Sequence, residues 1–413
     1  MLKMRSLIYI SILFFSLLAC NNADKPEVKT EPKKDTAVAI EKEVQDTSAD
    51  HFVEIDKSEI PTGNFDPNNY YNNVTAVLAG QKGKAHSFNY LFDTVAWASQ
   101  VKFIDSSWVR LERKRLKAMR TWASTEFAAP NANVKTVFYP FSGPDFLTAN
   151  AFFPNADKYI MLGLEPVGKL PDLKKFKPGQ HSEYAYDFKK SLGDIFDKSY
   201  FITRKMLQDF QSQKVNGLLP VLAFFIKKTG HEIADVKYLV RYHQDSIVET
   251  GYNFKDPERK PFGVRIDFMQ DGKRKSVYYF KYDVSDKNFN DSCVFYKYLN
   301  KYNNYVTYIK SASYLLHNNF MSNMRKMILA NSSYVVQDDT GIPYKFFQEG
   351  GAPWAMKLYG AYTKPVSDFP YLSMQKPLEE AFHKDSANVG KLPFHLGYHW
   401  GSKKDVIIFA SKK

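Results

Sequence analysis

Two hydrophobic periods alternate through most of the chain. The runs "VKTVFYPF" and "KYIMLGLE" have the apolar spacing of buried strands, and "DFLTANAFF" between them has the spacing of a helix. The alternation continues to the C-terminus, where "PFHLGYHW" and "DVIIFAS" predict a closing antiparallel hairpin. Because strands that alternate with helices form parallel sheets covered on both faces, the pattern predicts an α/β domain over residues 131–413 with a mostly parallel, Rossmann-like sheet.

A second, more local hairpin is predicted within this domain. In "GVRIDFMQDGKRKSVYYFKYDVS", two runs of period two flank Asp271-Gly272. An Asp-Gly pair between two such runs is a strong signal for a tight turn. We therefore expect these two strands to be antiparallel neighbours.

Residues 63–130 have helical periodicity and predict a helical extension ahead of the α/β domain. In "SSWVRLERKRLKAMRTW", large apolar residues share one helix face and a basic stripe covers the opposite face. The stripe consists of Arg110, Arg113, Lys117 and Arg120. Two interpretations of the stripe stay open, a solvated face and a contact for an anionic surface.

Arg115 lies in the middle of the apolar face of the same helix. An unpaired buried charge is very unfavourable, so an inward guanidinium needs a carboxylate or several carbonyl groups. We expect a carboxylate within hydrogen-bonding distance of Arg115. The alternative is a side chain that reaches solvent beside the core.

The first twenty residues predict export and a lipid anchor. Lys3 and Arg5 precede the apolar run Leu7 to Leu18, which is too short to span a bilayer comfortably. The run ends in Leu17-Leu18-Ala19-Cys20, which resembles the lipobox of bacterial lipoproteins. The resemblance implies that residues 1–19 are a signal peptide and that Cys20 carries the lipid. In that family an Asp after the cysteine commonly retains the protein at the inner membrane, so Asn21 favours the outer membrane.

Composition predicts a tether between the anchor and the folded part. Residues 20–62 are rich in Lys, Glu, Asp, Thr and Pro and nearly lack aromatic residues. Such a segment buries too little apolar surface to offset chain entropy, so we expect it to be disordered. Forty residues of flexible chain span on the order of 35 Å r.m.s.. The tether would hold the folded part away from the membrane.

The charge of the chain favours anionic partners. The formal net charge is +13, of which Lys3 and Arg5 in the signal segment supply two. In a cell envelope the anionic partners are lipid headgroups and acidic glycans, and nucleic acid is not expected for an exported protein. The chain has two cysteines, so a lipidated Cys20 would leave Cys293 without an intramolecular disulfide partner.

Ser142-Gly143-Pro144-Asp145 forms a sharp corner between a predicted strand and a predicted helix. Glu165 ends the next predicted strand, 22 residues after Gly143. In dinucleotide-binding folds, a glycine turn after the first strand approaches the ligand, and an acid about twenty residues on binds the ribose hydroxyls. Ser142, Gly143, Asp145 and Glu165 are therefore candidate ligand-binding or catalytic residues.

The order of elements from Val134 onward resembles the class I methyltransferase fold, which implies a site for S-adenosylmethionine at this corner. The motif departs from the pattern of that family. One glycine stands where two or three are usual, and Pro144 lacks the backbone N–H that would face an anion. S-adenosylmethionine and nicotinamide dinucleotides are kept in the cytoplasm, so no cofactor is predicted for an exported protein. A different ligand at the same crevice and a purely structural corner remain as alternatives.

The stretch "VVQDDTGIPY" places Asp338 and Asp339 after another predicted strand. Asp339-Thr340-Gly341 resembles the active-site turn of aspartic proteases, which need two such carboxylates close together. The sequence contains one such triplet, so the alternative is an ordinary turn after a strand. Both aspartates stay candidates, because ligands bind beyond the carboxyl ends of the strands in open α/β sheets.

Histidines give weaker signals. His317 follows a predicted strand and is a candidate base, with a histidine satisfied by its surroundings as the alternative. His395 and His399 lie four apart in "HLGYH" without a third ligand at suggestive spacing. No metal site is therefore predicted.

The stretches "FYPFSGPDFLTANAFFP" and "KSASYLL" resemble an uncharacterised family of bacterial proteins, which implies no activity. The sequence predicts a lipid-anchored envelope protein that binds a ligand or an anionic envelope component at the carboxyl edge of its strands. The alternative is an envelope enzyme, a hydrolase or transferase, that uses the carboxylates at this edge.

Overall fold

The computed structural model of the chain describes the following residues: 53–54, 65–84, 86–177, 179–201, 205–206, 215–242, 246–252, 260–349, 354–367, 369, 372, 374–400 and 404–413. All of them belong to one compact unit, Asp50–Lys413. The predicted signal segment and Cys20 lie outside the described residues, as does the predicted tether apart from Val53 and Glu54, which form a strand of the sheet.

Eleven strands in the described part of the chain form one mixed sheet. Their bounds are β1 Val53–Glu54, β2 Thr136–Tyr139, β3 Lys158–Gly163, β4 Glu232–Tyr242, β5 Ser246–Thr250, β6 Gly263–Gln270, β7 Lys273–Lys281, β8 Tyr305–Ile309, β9 Ser332–Gln337, β10 Trp354–Gly360 and β11 Val406–Lys412. Their order across the sheet is β1-β5-β4-β6-β7-β3-β2-β8-β9-β11-β10.

Helices lie between β1 and β2 in the chain and between several of the later strands. Those described are α1 Tyr70–Leu78, α2 Asn89–Phe92, α3 Val95–Leu111, α4 Lys117–Glu126, α5 Ala128–Asn133, α6 Phe146–Phe152, α7 Gln180–Asp197, α8 Leu219–Lys228, α9 Val294–Asn300, α10 Ser322–Asn331 and α11 Lys376–Lys384. Short 3₁₀ turns occur between them. None of the helices in the described ranges is long and apolar enough to cross a membrane.

The sheet has a parallel centre and two antiparallel wings, one of β1, β5, β4 and β6 and the other of β11 and β10. Strands β7, β3, β2, β8 and β9 are parallel neighbours. The other six pairs are antiparallel. The α/β class is confirmed, but a mostly parallel sheet is wrong, because the connections β4–β5 and β6–β7 are too short for a parallel crossover and β4 pairs antiparallel with β6.

The hairpin at Asp271-Gly272 is confirmed. Strands β6 and β7 pair from Gly263↔Phe280 to Gln270↔Lys273. The two turn residues have φ of 51° and 74°, the left-handed values that a two-residue type I′ turn requires. The turn therefore fixes the register of the pair.

The closing hairpin has a different partner from the predicted one. Strand β11 pairs with β9 on one side and β10 on the other. The stretch "PFHLGYHW" is a loop with a 3₁₀ turn at Gly397–His399. The N–H of Leu396 donates to the Asp405 carboxylate at 2.6 Å, and Gly397 has φ of 58°. This part of the backbone is therefore bonded to a side chain and not to a neighbouring strand.

Helices cover both faces of the sheet. Val137 and Tyr139 of β2 belong to a core with side chains from α1, α3, α4, α6, α7 and α8. Phe138, which points the other way, belongs to a second core with α9 and α10. The predicted helical region of residues 63–130 thus packs directly on the sheet.

Helices α3 and α4 are joined without a break by a π-helical turn, Glu112–Leu116. Leu111 and Leu116 are both buried although they are five residues apart. In an α-helix such residues point about 140° apart, whereas a π turn aligns them. The turn also directs Arg115 into the protein, where it is 9% exposed.

Candidate functional site

The corner after β2 meets Glu165 at the carboxyl end of the sheet, as the sequence predicts. The N–H groups of Ser142 and Gly143 donate to the Leu162 carbonyl at the end of β3, at 2.8 and 3.3 Å. Gly143 has φ of 51°, and a Cβ added there would lie 3.9 Å from a Glu165 carboxylate oxygen. The corner therefore crosses the end of the neighbouring strand and approaches its glutamate.

Asp145 is bonded on all sides by the protein itself. Its carboxylate caps α6 through the Thr148 N–H at 3.2 Å and accepts from the Tyr139 hydroxyl at 3.0 Å. It also accepts a short hydrogen bond from the ammonium of Lys310, the residue that follows β8. Lys310 donates in addition to the Ser199 carbonyl at 2.7 Å. Both side chains of this ion pair are 2% exposed, so the pair fills the crevice between β2 and β8.

Glu165 is also held within the protein. The Tyr279 hydroxyl of β7 donates to its backbone carbonyl at 2.9 Å and lies 3.3 Å from its carboxylate. The residue is almost completely buried. Its carboxylate therefore faces the corner and β7, away from solvent.

Arg115 binds carbonyl groups, and the prediction of a hydrogen-bonded carboxylate is wrong. Its guanidinium donates to the Lys198 carbonyl at 3.0 Å and to the Ile195 carbonyl at 3.4 Å, at the C-terminal end of α7. A helix C-terminus carries partial negative charge and favours a cation. Burial lowers the pKa of Arg115 to about 10, while the carboxylates of Asp145 and Asp405 oppose that shift from a longer range.

Asp338 and Asp339 are adjacent in the chain but have different environments. Asp338 accepts from the Ser311 N–H at 2.8 Å and from the Thr340 N–H at 3.0 Å. Asp339 accepts from the Tyr314 hydroxyl at 2.6 Å and lies 3.2 Å from His399 Nε2. The protease-like triplet is thus a turn after β9 that fixes the loop after β8.

Two titratable groups of this cluster have shifted pKa values. Burial raises the pKa of Asp338 to about 6, and the neighbouring charge of Asp339 adds to the effect. Burial by itself would lower the pKa of His399, but its hydrogen bond to Asp339 and the nearby carboxylates raise it above the ordinary value. The contacts with Asp339 and the nearby carboxylates therefore favour the charged form of His399.

The loop after β8 is strained. Ser311, Ser313 and Tyr314 have φ of 53°, 50° and 55°, in the left-handed region that favours glycine. Bonds from neighbouring loops impose this shape, since the Ala312 N–H donates to Thr340 Oγ1 at 2.8 Å and the Ser313 hydroxyl lies 2.8 Å from the Tyr398 hydroxyl. Strain of this kind persists when surrounding contacts over-determine the backbone, and it clusters at functional sites.

His317 lies beside this loop, with its ring 5.1 Å from the Tyr314 ring in an edge-on contact. Its Nε2 is buried without a hydrogen-bond partner among the described residues. Burial lowers the pKa of His317 to about 4, so the imidazole is neutral at physiological pH.

A histidine–aspartate pair that the sequence did not predict lies at the same edge. His395 Nδ1 is 2.6 Å from Asp405 Oδ2. The His395 side chain is 46% exposed, whereas that of Asp405 is 5% exposed. Asp405 precedes β11, which runs antiparallel to β9, so the pair lies at the carboxyl edge of the parallel strands. His395 and His399, which lie four residues apart in the chain, bind different aspartates.

The carboxyl edge therefore has a buried network and an exposed rim. The predicted residues Ser142, Asp145, Glu165, Asp338 and Asp339 are each 5% exposed or less. On the rim, the His395 side chain is 46% exposed, and Lys391 and Lys404, which lie near His395 and Asp405 in the chain, are exposed and half-buried, respectively. The rim is thus the part of this edge that a ligand can contact.

Comparisons of the chain with protein-family models, with curated proteins and with solved structures returned no match. Within the part of the chain that the structure describes, no group of three or more His, Cys, Asp or Glu side chains is arranged to hold a metal ion.

Proposed function

We propose that this chain is a lipid-anchored cell-envelope protein whose α/β unit binds an anionic ligand at the carboxyl edge of its parallel strands. The anchoring part of the proposal is supported by the lipobox-like ending at Cys20 and by the composition of residues 20–62. Radioactive palmitate should label the protein in outer-membrane fractions, and Cys20→Ser should abolish the label. An unlabelled wild-type protein would contradict the anchor.

The strand order supports a Rossmann-like, class I methyltransferase-like arrangement. Numbered in chain order, β2, β3, β7, β8 and β9 follow the sheet order 3-2-1-4-5 of doubly wound folds. Antiparallel β11 then lies between β9 and β10, as expected for the family that the sequence resembles. The order reverses between β2 and β8, and ligands of such folds bind beyond the strand ends at this reversal.

The residues at the reversal do not fit S-adenosylmethionine or a dinucleotide. Asp145 and Glu165 would have to meet the ligand, yet both are 1% exposed and are bonded by Lys310, Tyr139 and Tyr279. Neither carboxylate is therefore available to the ribose or the phosphates of such a cofactor. The protein's own cation takes the central position in the crevice.

The half-exposed His395 held by buried Asp405 carries the proposal of an anionic ligand. The hydrogen bond at Nδ1 fixes the ring, so that Nε2 is left to meet a ligand. Lys391 and Lys404 lie four residues before His395 and one before Asp405, and both are accessible. The Asp405 carboxylate is buried and the His395 ring is half-exposed, so a ligand at this pair meets the ring and not the carboxylate. Phosphate and carboxylate groups fit this chemistry.

Native mass spectrometry of the mature protein from its own envelope tests the proposal through any co-purified ligand. Inorganic phosphate and glucuronate are direct probes, because they separate a phosphorylated headgroup from an acidic glycan. We expect one probe to bind the wild type and to bind His395→Ala at least fivefold more weakly. His383→Ala removes an exposed histidine from α11 and is the matched control. If no ligand co-purifies and neither probe binds the wild type, the proposal of an anionic ligand is refuted.

The same pair also supports a second function, a hydrolase in which His395 acts as general base. A histidine whose Nδ1 is bonded to a buried carboxylate and whose Nε2 is free has the geometry of a general base that takes a proton from water. Hydrolysis of a panel of acyl and phosphoryl esters measures this activity. We expect a loss of at least 100-fold in His395→Ala and none in His383→Ala. Equal rates in the two variants would contradict a role for His395.

A further inference from the structure

A cavity of about 520 Å³ lies between α4, α5 and α6, and the proposed function does not involve it. Its lining includes Arg120 and Ala123 of α4, Asn131 and Ala132 of α5, and Ala151 and Phe152 of α6. The lining from α6 comes from the helix end remote from the corner, so the cavity faces the opposite edge of the sheet from His395. Its volume lies within the range of about 300–1,000 Å³ that is typical of small-molecule sites.

The walls of the cavity are mostly apolar and differ in depth. Ala123, Ala151 and Phe152 are buried and form the floor, whereas Ala128 and Ala132 are exposed and form a wall. The small alanine side chains leave the space open. Asn131 braces this wall, since its amide donates to the carbonyls of Phe127 at 3.0 Å and Phe152 at 2.8 Å. The cavity is therefore built from fixed elements.

Arg120 gives the cavity its charge. It is the charged residue of the lining, and it lies on the exposed basic stripe with Arg113 and Lys117. One of its guanidinium nitrogens is bonded to Glu112, and a guanidinium has five N–H donors in all. Donors therefore remain for an anionic group at the rim, next to an apolar floor.

We propose that this cavity binds a single-chain anionic amphiphile, whose hydrocarbon tail packs against the exposed Ala128 and Ala132 above the buried floor and whose acidic head meets Arg120. The apolar floor excludes a wholly polar ligand, because such a ligand would leave its hydrogen-bonding groups unpaired. The basic stripe that continues from Arg120 raises the local concentration of anions. A fatty acid and the acyl chain of a lysophospholipid share this chemistry.

Photocrosslinking of the mature protein in its own membranes with a diazirine-bearing dodecanoate tests the site. Trypsin cleaves after Arg120, Lys135 and Lys158. We expect the label in the two adjoining peptides, 121–135 and 136–158. Excess dodecanoate should compete, and excess dodecyltrimethylammonium should not. Competition by lysophosphatidylglycerol but not by dodecanoate would identify the lipid as the natural source.

Paired variants separate the site from general surface labelling. Ala132→Leu narrows the cavity and should reduce labelling at least fivefold, whereas Ala129→Leu places the same side chain on an exposed position of α5 outside the lining. Arg120→Gln should have a similar effect, with Arg113→Gln as its control on the same stripe. Label elsewhere in the chain, or equal labelling of Ala132→Leu and Ala129→Leu, would overturn the site. Undiminished labelling of Arg120→Gln would overturn the anionic class.

Discussion

The buried ion pair between Lys310 and Asp145 allows a quantitative test of the crevice. Lys310→Met keeps most of the side-chain length and removes the charge. Asp145 would keep its bonds from Tyr139 and Thr148 but would lose its cation. Arg115 is fixed by the carbonyls at the end of α7, so it is not free to replace the lysine.

The expected effect is large because both members of the pair are 2% exposed. Removal of one partner from a buried ion pair destabilises a protein by about 3–5 kcal/mol, since the other charge stays buried and uncompensated. Asp145→Asn, which preserves an N-cap residue on α6, should show a comparable loss. The double variant removes both charges together. Its loss should be smaller than the sum of the two single losses by about 2 kcal/mol.

Urea unfolding of the mature chain carrying Cys20→Ser, followed by tryptophan fluorescence, measures these differences. Lys175→Met is the control, because Lys175 pairs with Asp172 on the surface and exposed pairs contribute close to zero. A loss below about 1 kcal/mol for Lys310→Met would refute the reasoning, since a buried pair should exceed a surface pair. Strictly additive losses would show that the two residues are not energetically coupled.

Three further predictions concern other parts of the structure. The pKa of Asp338 is raised to about 6, so between about pH 4 and 6 the folded state binds more protons than the unfolded state. The free energy of unfolding should therefore fall by about 3 kcal/mol as the pH rises through this window. Asp338→Asn should remove this slope when unfolding is measured against pH. Arg265→Met, on β6, should destabilise the protein by about 3–5 kcal/mol in urea unfolding, because the buried carboxylate of Asp267 loses its two hydrogen bonds from Arg265 at 2.8 and 2.9 Å. An unchanged unfolding midpoint would contradict the role of this pair. Gly168→Ala should lower stability by more than about 2 kcal/mol, because the added Cβ would lie 1.7 Å from a backbone oxygen. Gly230→Ala, at a similar positive φ but with open space around it, should lower stability by about 1 kcal/mol. Equal shifts in melting temperature would show that the contact at Gly168 is unimportant.

The local parts of the fold could be predicted from the sequence, and the distant pairings could not. The Asp271-Gly272 turn needs information from neighbouring residues alone, and it is correct. The hydrophobic pattern does not predict strand β4, because the register of its pairing with β6 shifts between Ile233 and Asp235. This irregularity interrupts the period-two alternation of β4 after its first residues. Strand β10 pairs with β11, which lies far along the chain, and no turn signal joins them.

The candidate site shows the same limit. A lysine directly after an apolar strand is normally interpreted as solvated, yet Lys310 is buried against an aspartate 165 residues away. The sequence placed Ser142, Gly143 and Glu165 together correctly, because adjacent parallel strands bring their carboxyl ends to one edge. The pairing of His395 with Asp405 depends on a loop whose backbone the hydrophobic pattern assigned to a strand.

The position of the β4–β5–β6 wing in the chain affects the rate of folding. Strands β4, β5 and β6 come between β3 and β7 in the chain, although β3 and β7 are direct neighbours in the sheet. Strands β4 to β7 pair with near neighbours in the chain, whereas the centre must join segments far apart in the chain, and such topologies fold slowly. Strand β2 has no partner on its far side until β8 has been synthesised. Synthesis of the second half of the chain therefore sets the earliest time at which the centre of this molecule can close.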